Sequence, residues 1–299
     1  MIVPDLTELV AMRAATAGLR LISRRTARAL HAGSHRSVQR GRGLEFQEVR
    51  PYVNGDDPRT IDWRVTARRG RPHTKLFREE RERPVWLLVD LNPTLFFGTR
   101  KQLKSALVAR AAALLAWTAS GGGDRVGAAI VGTTSYRLIP PRARESGVLP
   151  VLAALIDMQP SGPALAAAVS LHDGLDALVP VVHPGSLILV LSDFAALDTN
   201  THSAWASLAV HNELQLFRVT DPLEREALPD GRYRVGIRGR SVTIDGARSR
   251  SAWLAKWQER NSRIETLAHR LGAPVTELDT SQSVEEPLRT VLAGKRSAA

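Results

Sequence analysis

The period of the hydrophobic pattern changes along the chain, and the changes mark its elements. Pro84-Val85-Trp86-Leu87-Leu88-Val89 is an unbroken apolar run that stops at Asp90. A run of that length reads as a strand buried on both faces, as in the middle of a parallel sheet. Ser186 to Leu191 repeats the pattern and stops at Ser192-Asp193-Phe194. Between the two runs, helical spacing predicts a helix over Arg100–Ser120, ended by Gly121-Gly122-Gly123. A strand over Asp124–Val131 follows, then a hairpin partner over Ser135–Pro140 and helices over Glu145–Met158 and Ala164–Leu178. Beyond the second run come a helix over His202–His211, a strand over Leu214–Val219 and a loop over Asp221–Pro229. A hairpin of Arg232–Ile237 with Ser241–Ile244 comes next. A long helix over Ala247–Leu271 has Trp253, Trp257 and Leu267 on its buried side. A strand over Pro274–Leu278 and a helix over Val284–Leu292 close the pattern. Strands alternating with helices predict an α/β, doubly wound sheet with helices on both faces.

The first third of the chain reads differently. Leu6, Leu9, Val10, Leu19, Ile22 and Leu30 share one side of a helix over residues 5–30, with Arg13, Arg20, Arg24 and Arg28 as a basic stripe on another. Residues 31–43 are rich in Gly, Ser and Arg and read as a loop. Residues 41–68 interleave opposite charges around Phe46, Tyr52, Ile61 and Trp63, which predicts a compact, non-helical or β-containing segment. Arg50, Arg59 and Arg68 are the expected partners of Asp56 and Asp62. The division expected is residues 1–83, holding the N-terminal helix and this segment, and residues 84–299, holding the sheet.

Composition narrows the function classes. The 299 residues carry a net charge of +11 and no cysteine, so disulfide and thiol chemistry are excluded and a reducing cytoplasm is the default compartment. No apolar stretch approaches the roughly 20 residues of a membrane span. The basic balance, with a pI near 10.9, suits an acidic protein, an anionic membrane face or nucleic acid as partner. Aromatic residues at 5% and the lack of a nucleic-acid motif count against nucleic acid. The basic N-terminal helix is the expected element for any peripheral contact with the inner face of the membrane.

Chemistry concentrates where the two apolar runs end. In a doubly wound sheet, adjacent strands bring such ends to one crevice, so Asp90 and Asp193 converge. Asp90, Asn92 and Thr94 set an oxygen at every second residue of one loop, an arrangement suited to a hard cation. The alternative is a crevice held by hydrogen bonds alone. The loop Asp90-Leu91-Asn92-Pro93-Thr94 resembles the Asp-x-Ser-x-Ser metal-ion-dependent adhesion site of von Willebrand factor A-like domains, with Asn92 in place of the first hydroxyl. That resemblance implies Mg²⁺ or Mn²⁺ held by Asp90, Asn92, Thr94, a hydroxyl from a later loop, where Ser161 is available, and Asp193. A metal-dependent hydrolase using Asp90, Asp193 and Asp56 would need a supported base or nucleophile, and none is legible.

The segment Gly41-x-Gly43-x-x-Phe46, Arg50-x-Tyr52-x-x-Gly55-Asp56, Arg59-x-Ile61-Asp62-Trp63 and Ala67-Arg68 resembles the signature of the bacterial domain of unknown function family fifty-eight. The likeness continues through Phe77-x-x-Glu80 into the first long strand. It implies a von Willebrand A-like fold, with Arg50, Tyr52, Gly55, Asp56, Arg59, Asp62, Trp63 and Arg68 as structural or interaction residues. It also implies a partner, since members commonly occur with MoxR-type AAA+ ATPases. The expectation is a non-enzymatic adaptor for such an ATPase or for an acidic client. A basic nucleic-acid or anionic-surface binder is the alternative.

Overall fold

The computed structural model describes residues 3–21, 44–53, 56, 58–79, 82–162, 168–197, 202–237 and 240–292. Residues 22–43, and with them Arg24, Arg28 and the expected loop, lie outside it, as does Gly55. In chain order the elements are α1 (Leu6–Ala11), β1 (Leu44–Pro51), α2 (Trp63–Arg69), β2 (His73–Glu79), β3 (Pro84–Asp90), α3 (Lys104–Gly121), β4 (Arg125–Val131), β5 (Tyr136–Ala143), α4 (Glu145–Asp157) and α5 (Leu171–Leu178). They continue with β6 (Leu187–Ser192), α6 (His202–His211), β7 (Glu213–Thr220), α7 (Pro222–Glu226), β8 (Arg232–Ile237), β9 (Arg240–Asp245), α8 (Gly246–Leu271), β10 (Val275–Asp279) and α9 (Glu285–Leu292).

The chain forms two compact units, residues 1–31 with 83–299, and residues 32–82. In the larger unit six strands run in the order β10-β7-β6-β3-β4-β5. All pair in parallel except β5, which lies antiparallel on the edge beside β4. This is the expected α/β, mostly parallel sheet. Its period-two alternation divides the core. Val85, Leu87 and Val89 face a layer built on α3, α4 and α9, while Trp86 and Leu88 face α5, α6 and α8. The sheet is therefore covered on both faces, which is why β3 and β6 read as unbroken apolar runs rather than alternating ones. The chain order reverses between β3 and β6, so the strand-end crevice of such a sheet falls beside Asp90 and Ser192.

Several expected boundaries move for local reasons. Over the described residues 5–21 the expected helix is interrupted: α1 passes into a 3₁₀ turn over Met12–Thr16, and Gly18 leaves the helical region at φ +79°. Leu6 and Val10 are exposed while Leu9 is buried, so the predicted apolar side is only partly used. The helix expected from Ala164 begins at Leu171, where Ser170 and Asp173 form a capping box; residues 163–167 lie outside the described set. The loop after β7 holds the short helix α7, started by a second capping box, Asp221 with Glu224. Trp253 and Trp257 on α8 are half-buried and Leu267 is buried, as expected.

The smaller unit pairs β1 with β2 in an antiparallel ladder and contains α2, so the segment expected to be non-helical holds one helix. Asp62 is the reason. Its Oδ1 accepts from the amides of Arg64 and Val65, capping the helix, and Gly70 ends it at φ +69°. Among the described residues no helix is long and apolar enough to cross a membrane.

Helix α1 belongs with the sheet. Leu9 is fully buried against it, and the Leu9 carbonyl accepts from Trp117 Nε1 at 3.0 Å. Leu9→Ala is therefore expected to lower unfolding stability by roughly 2–4 kcal/mol in urea titrations. Leu6→Ala, at a position 44% exposed, is expected to change it little.

Candidate functional site

The crevice is built from four chain segments. Strand β3 delivers Asp90 and its loop delivers Asn92 and Thr94. Strand β6 delivers Ser192 and Asp193, the first turn of α3 delivers Lys104, and α7 delivers Glu224. Phe194, next to Asp193, sits at φ +52°, a conformation that costs energy for a side chain of this size.

Lys104 organises the site. Its Nζ donates to Asp193 Oδ2 at 2.7 Å and to Glu224 Oε1 at 3.1 Å, and lies 5.8 Å from the centroid of the Phe97 ring. The residue is 1% exposed. A lysine at the start of a helix opposes the helix dipole, so its place here needs compensation, and the two carboxylates supply it. Burial alone would pull the Lys104 ammonium down, but the charges of Asp193 and Glu224 outweigh it and hold the pKa above its ordinary value. Burial likewise pushes the Asp193 carboxyl up. The Lys104 charge and hydrogen bonds from Lys104, Ala195 and Thr94 overcome that and leave Asp193 below the usual carboxylate range.

Asp90 has a different environment. Its Oδ1 accepts from Asn92 N at 3.0 Å and Asn92 Nδ2 at 2.7 Å, and its Oδ2 accepts from Ser192 Oγ at 2.6 Å. No cation faces it among the described residues. Burial, then the neighbouring Asp193 charge, raise the Asp90 pKa to about 6 against those hydrogen bonds.

The surrounding loops are tied down by a second buried acid. Asp221 accepts from Thr99 N at 2.8 Å, Thr99 Oγ1 at 2.5 Å, Thr280 Oγ1 at 2.5 Å and Leu223 N at 3.0 Å. It joins the β3–α3 loop to the ends of β7 and β10. Gly98 fits there because a Cβ would lie 2.2 Å from the Gln102 carbonyl oxygen. On the far side, Trp253 Nε1 donates to the Leu223 and Glu224 carbonyls, and Arg260 lies 3.5 Å from Glu224.

Four of the five residues expected to hold a metal thus meet: Asp90, Asn92, Thr94 and Asp193. Ser161 is exposed and makes no hydrogen bond to them. The donor set does not fit a divalent cation as arranged. Mg²⁺ takes oxygen ligands at about 2.0–2.1 Å in near-octahedral array. Here Lys104 already occupies Asp193 Oδ2, hydrogen-bond donors take both oxygens of Asp90, and Asn92 turns its Nδ2 inward. The oxygen that would serve as ligand, Asn92 Oδ1, is buried without a hydrogen-bond partner. A second cation beside the ammonium would also meet its charge in a site that water does not screen.

The described signature residues lie in the smaller unit, some holding it together and some exposed. Arg50 pairs with Asp56 at 2.6 Å, the Tyr52 hydroxyl donates to the Asp56 carbonyl at 3.0 Å, and Asp62 caps α2. Arg59 lies in a 3₁₀ turn, Arg68 is exposed in the last turn of α2, and Trp63 is exposed. His73 is buried, with Nδ1 on the Arg71 carbonyl oxygen at 2.7 Å. Lys104, Ser192, Asp221 and Glu224 were not singled out as site residues from the sequence, although the Asp-x-x-Glu spacing of the last two is a capping-box pattern.

The family model described as protein of unknown function DUF58 matches residues 48–262. Uncharacterized protein Rv1480 of Mycobacterium tuberculosis and uncharacterized protein Mb1516 of Mycobacterium bovis are each 34% identical over 198 residues, 66% of this chain and 61% of theirs. The match spans less than two thirds of the length of these relatives. Among solved structures, conserved hypothetical protein BatB from Bacteroides thetaiotaomicron aligns with TM-score 0.43 and 12% identity, over 71% of this chain and 97% of its own. A structure of von Willebrand factor type A from Catenulispora acidiphila aligns with TM-score 0.39 and 10% identity, over 74% of this chain and 44% of its own.

Two predictions follow from the charges. Lys104→Met strands the buried Asp193 carboxylate, while Glu224 keeps Arg260 at 3.5 Å, and is expected to cost about 3–5 kcal/mol in denaturant unfolding; adding Asp193→Asn is expected to recover most of that loss. Asp90 has a folded pKa of about 6 against an ordinary 3.8, so its ionisation opposes folding as pH rises through that window. Asp90→Asn can keep the Asn92 and Ser192 contacts. It is expected to be more stable than wild type at neutral pH, by up to the order of 3 kcal/mol, with the difference vanishing near pH ~4. Thermal unfolding across pH checks the sign.

Proposed function

We propose that this chain, which belongs to the DUF58 family, is a non-enzymatic protein–protein adaptor that works with a MoxR-type AAA+ ATPase. The observation that carries the reading is the Lys104 pin. Hydrolysis at this crevice would require an available base, a nucleophile or an open metal position. Asp193 and Glu224 are instead committed to Lys104, and Asp90 to Ser192 and Asn92. What the pin and the Asp221 staple supply is a preorganised loop surface at the carboxyl ends of the strands, the place where doubly wound sheets meet their ligands. The signature that resembles the ATPase-associated family supports the choice of partner.

In this reading the crevice is a degenerate adhesion site. Lys104 is a tethered cation that replaces a metal ion, and its burial keeps it from reaching a partner carboxylate. Contact is made by the exposed residues of the β3–α3 loop, Thr94 and Thr99 to Lys101. Electrostatic steering by Arg100 and Lys101 raises the association rate more than the affinity.

The test is binding of the purified chain to the MoxR-type ATPase from the same genome, measured by interferometry. Arg100→Glu with Lys101→Glu is expected to slow association about tenfold or more while leaving thermal unfolding unchanged. No complex with wild type, or an association rate indifferent to both reversals, would sink the reading.

A further inference from the structure

Trp63 is the most exposed large hydrophobic side chain among the described residues, at 70%. Its exposure is not needed to hold α2, which is fixed at one end by the Asp62 cap and at the other by Gly70. The inward side of the helix is carried by Val65 and Thr66, both half-buried, with Thr66 Oγ1 accepting from the His73 amide at 3.0 Å. The outward side is Trp63, Arg64, Ala67 and Arg68, all exposed and placed together by i, i+4 spacing.

Among the described residues, no ion pair offsets the charge of this face. Arg64, Arg68, Arg69 and Arg71 are exposed, and none forms an ion pair among the described residues. The nearby carboxylates have other work: Asp62 caps the helix, and Asp56 accepts from Arg50 and from the Val53 amide. A tryptophan beside unpaired arginines is the composition that carries most of the energy at protein interfaces.

We propose that this outward face of α2 docks an acidic polypeptide segment, with Trp63 as the apolar anchor and Arg64 and Arg68 as its carboxylate-binding rim. The inference rests on the adaptor reading for the class of occupant, a polypeptide, and names the chemistry that selects it. Arginine beside the ring offers a planar, bidentate fit to Asp and Glu side chains. Single-stranded nucleic acid fits less well. Sequence-tolerant binding of that kind stacks successive bases on several aromatics, whereas the exposed face of α2 carries one, Trp63.

The probe is a short fluorescein-labelled peptide of repeated Glu-Asp-Leu-Phe units, titrated with the full chain and read by anisotropy. Wild type is expected to bind saturably. Trp63→Ala is expected to weaken binding about tenfold or more, and Arg64→Glu with Arg68→Glu to abolish it. Both variants are expected to keep the wild-type unfolding transition, because the three side chains are exposed. Should Trp63→Ala fail to fold, the double charge reversal decides alone. The idea is overturned if the peptide does not bind wild type or binds the folded variants equally well. It is also overturned if labelled oligothymidylate binds more tightly than the peptide and loses that binding on Trp63→Ala. ATPase binding is measured separately on wild type. Failure of the peptide to bind wild type while the ATPase complex forms removes only this inference; an absent ATPase complex with peptide binding intact removes only the choice of ATPase.

Discussion

A buried ammonium between two buried carboxylates is the constraint on which the rest of this structure hangs. An unpaired charge inside a protein costs several kcal/mol, so Lys104, Asp193 and Glu224 must stay together or the fold must change. That requirement fixes the first turn of α3 against the end of β6 and draws α7 down onto both. Asp193 keeps its charge because Lys104 is there. Asp90, without such a partner, depends on Ser192 and Asn92, and its raised pKa reflects that difference.

Around the pin, rigidity spreads by hydrogen bonds rather than by more charge. Asp221 gathers Thr99, Thr280 and the start of α7, so three loops at one end of the sheet share a buried acceptor. Trp253 extends the same scaffold to α8. A surface held in this way is suited to recognition, because little ordering entropy remains to be lost on binding. The smaller unit has the opposite character, with a capped helix that shows a tryptophan and arginines outward.

Much of the fold was legible from periodicity. The unbroken runs at Val85–Val89 and Leu187–Leu191 marked central parallel strands, and their terminal Asp90 and Asp193 marked the crevice. What misled was local chemistry that hydropathy does not see. Gly18 breaks the first helix, the Ser170–Asp173 box delays another, and Asp221–Glu224 starts a helix inside a predicted loop. The partner of Asp193 was hidden because Lys104 is a long-range neighbour, 89 positions away in the chain. A hint was present: a lone lysine opening an apolar, Ala-rich helix in a chain that otherwise prefers arginine. Arginine presents a fixed planar fork, whereas lysine offers a compact point charge on a flexible stem, and the crevice holds the second kind. The exposure of Trp63 was not legible, since a tryptophan in a charged, turn-rich segment is ordinarily a packing residue.

The most direct test of Lys104 as the resident cation is calorimetric titration of Mg²⁺ and Mn²⁺ into wild type, with Asp90→Ala alongside. The account predicts no saturable heat with wild type, because hydrogen-bond donors and the ammonium already hold the carboxylate oxygens. Stoichiometric binding by wild type that Asp90→Ala removes would contradict it, and would make the crevice a working metal site from which Lys104 has to withdraw.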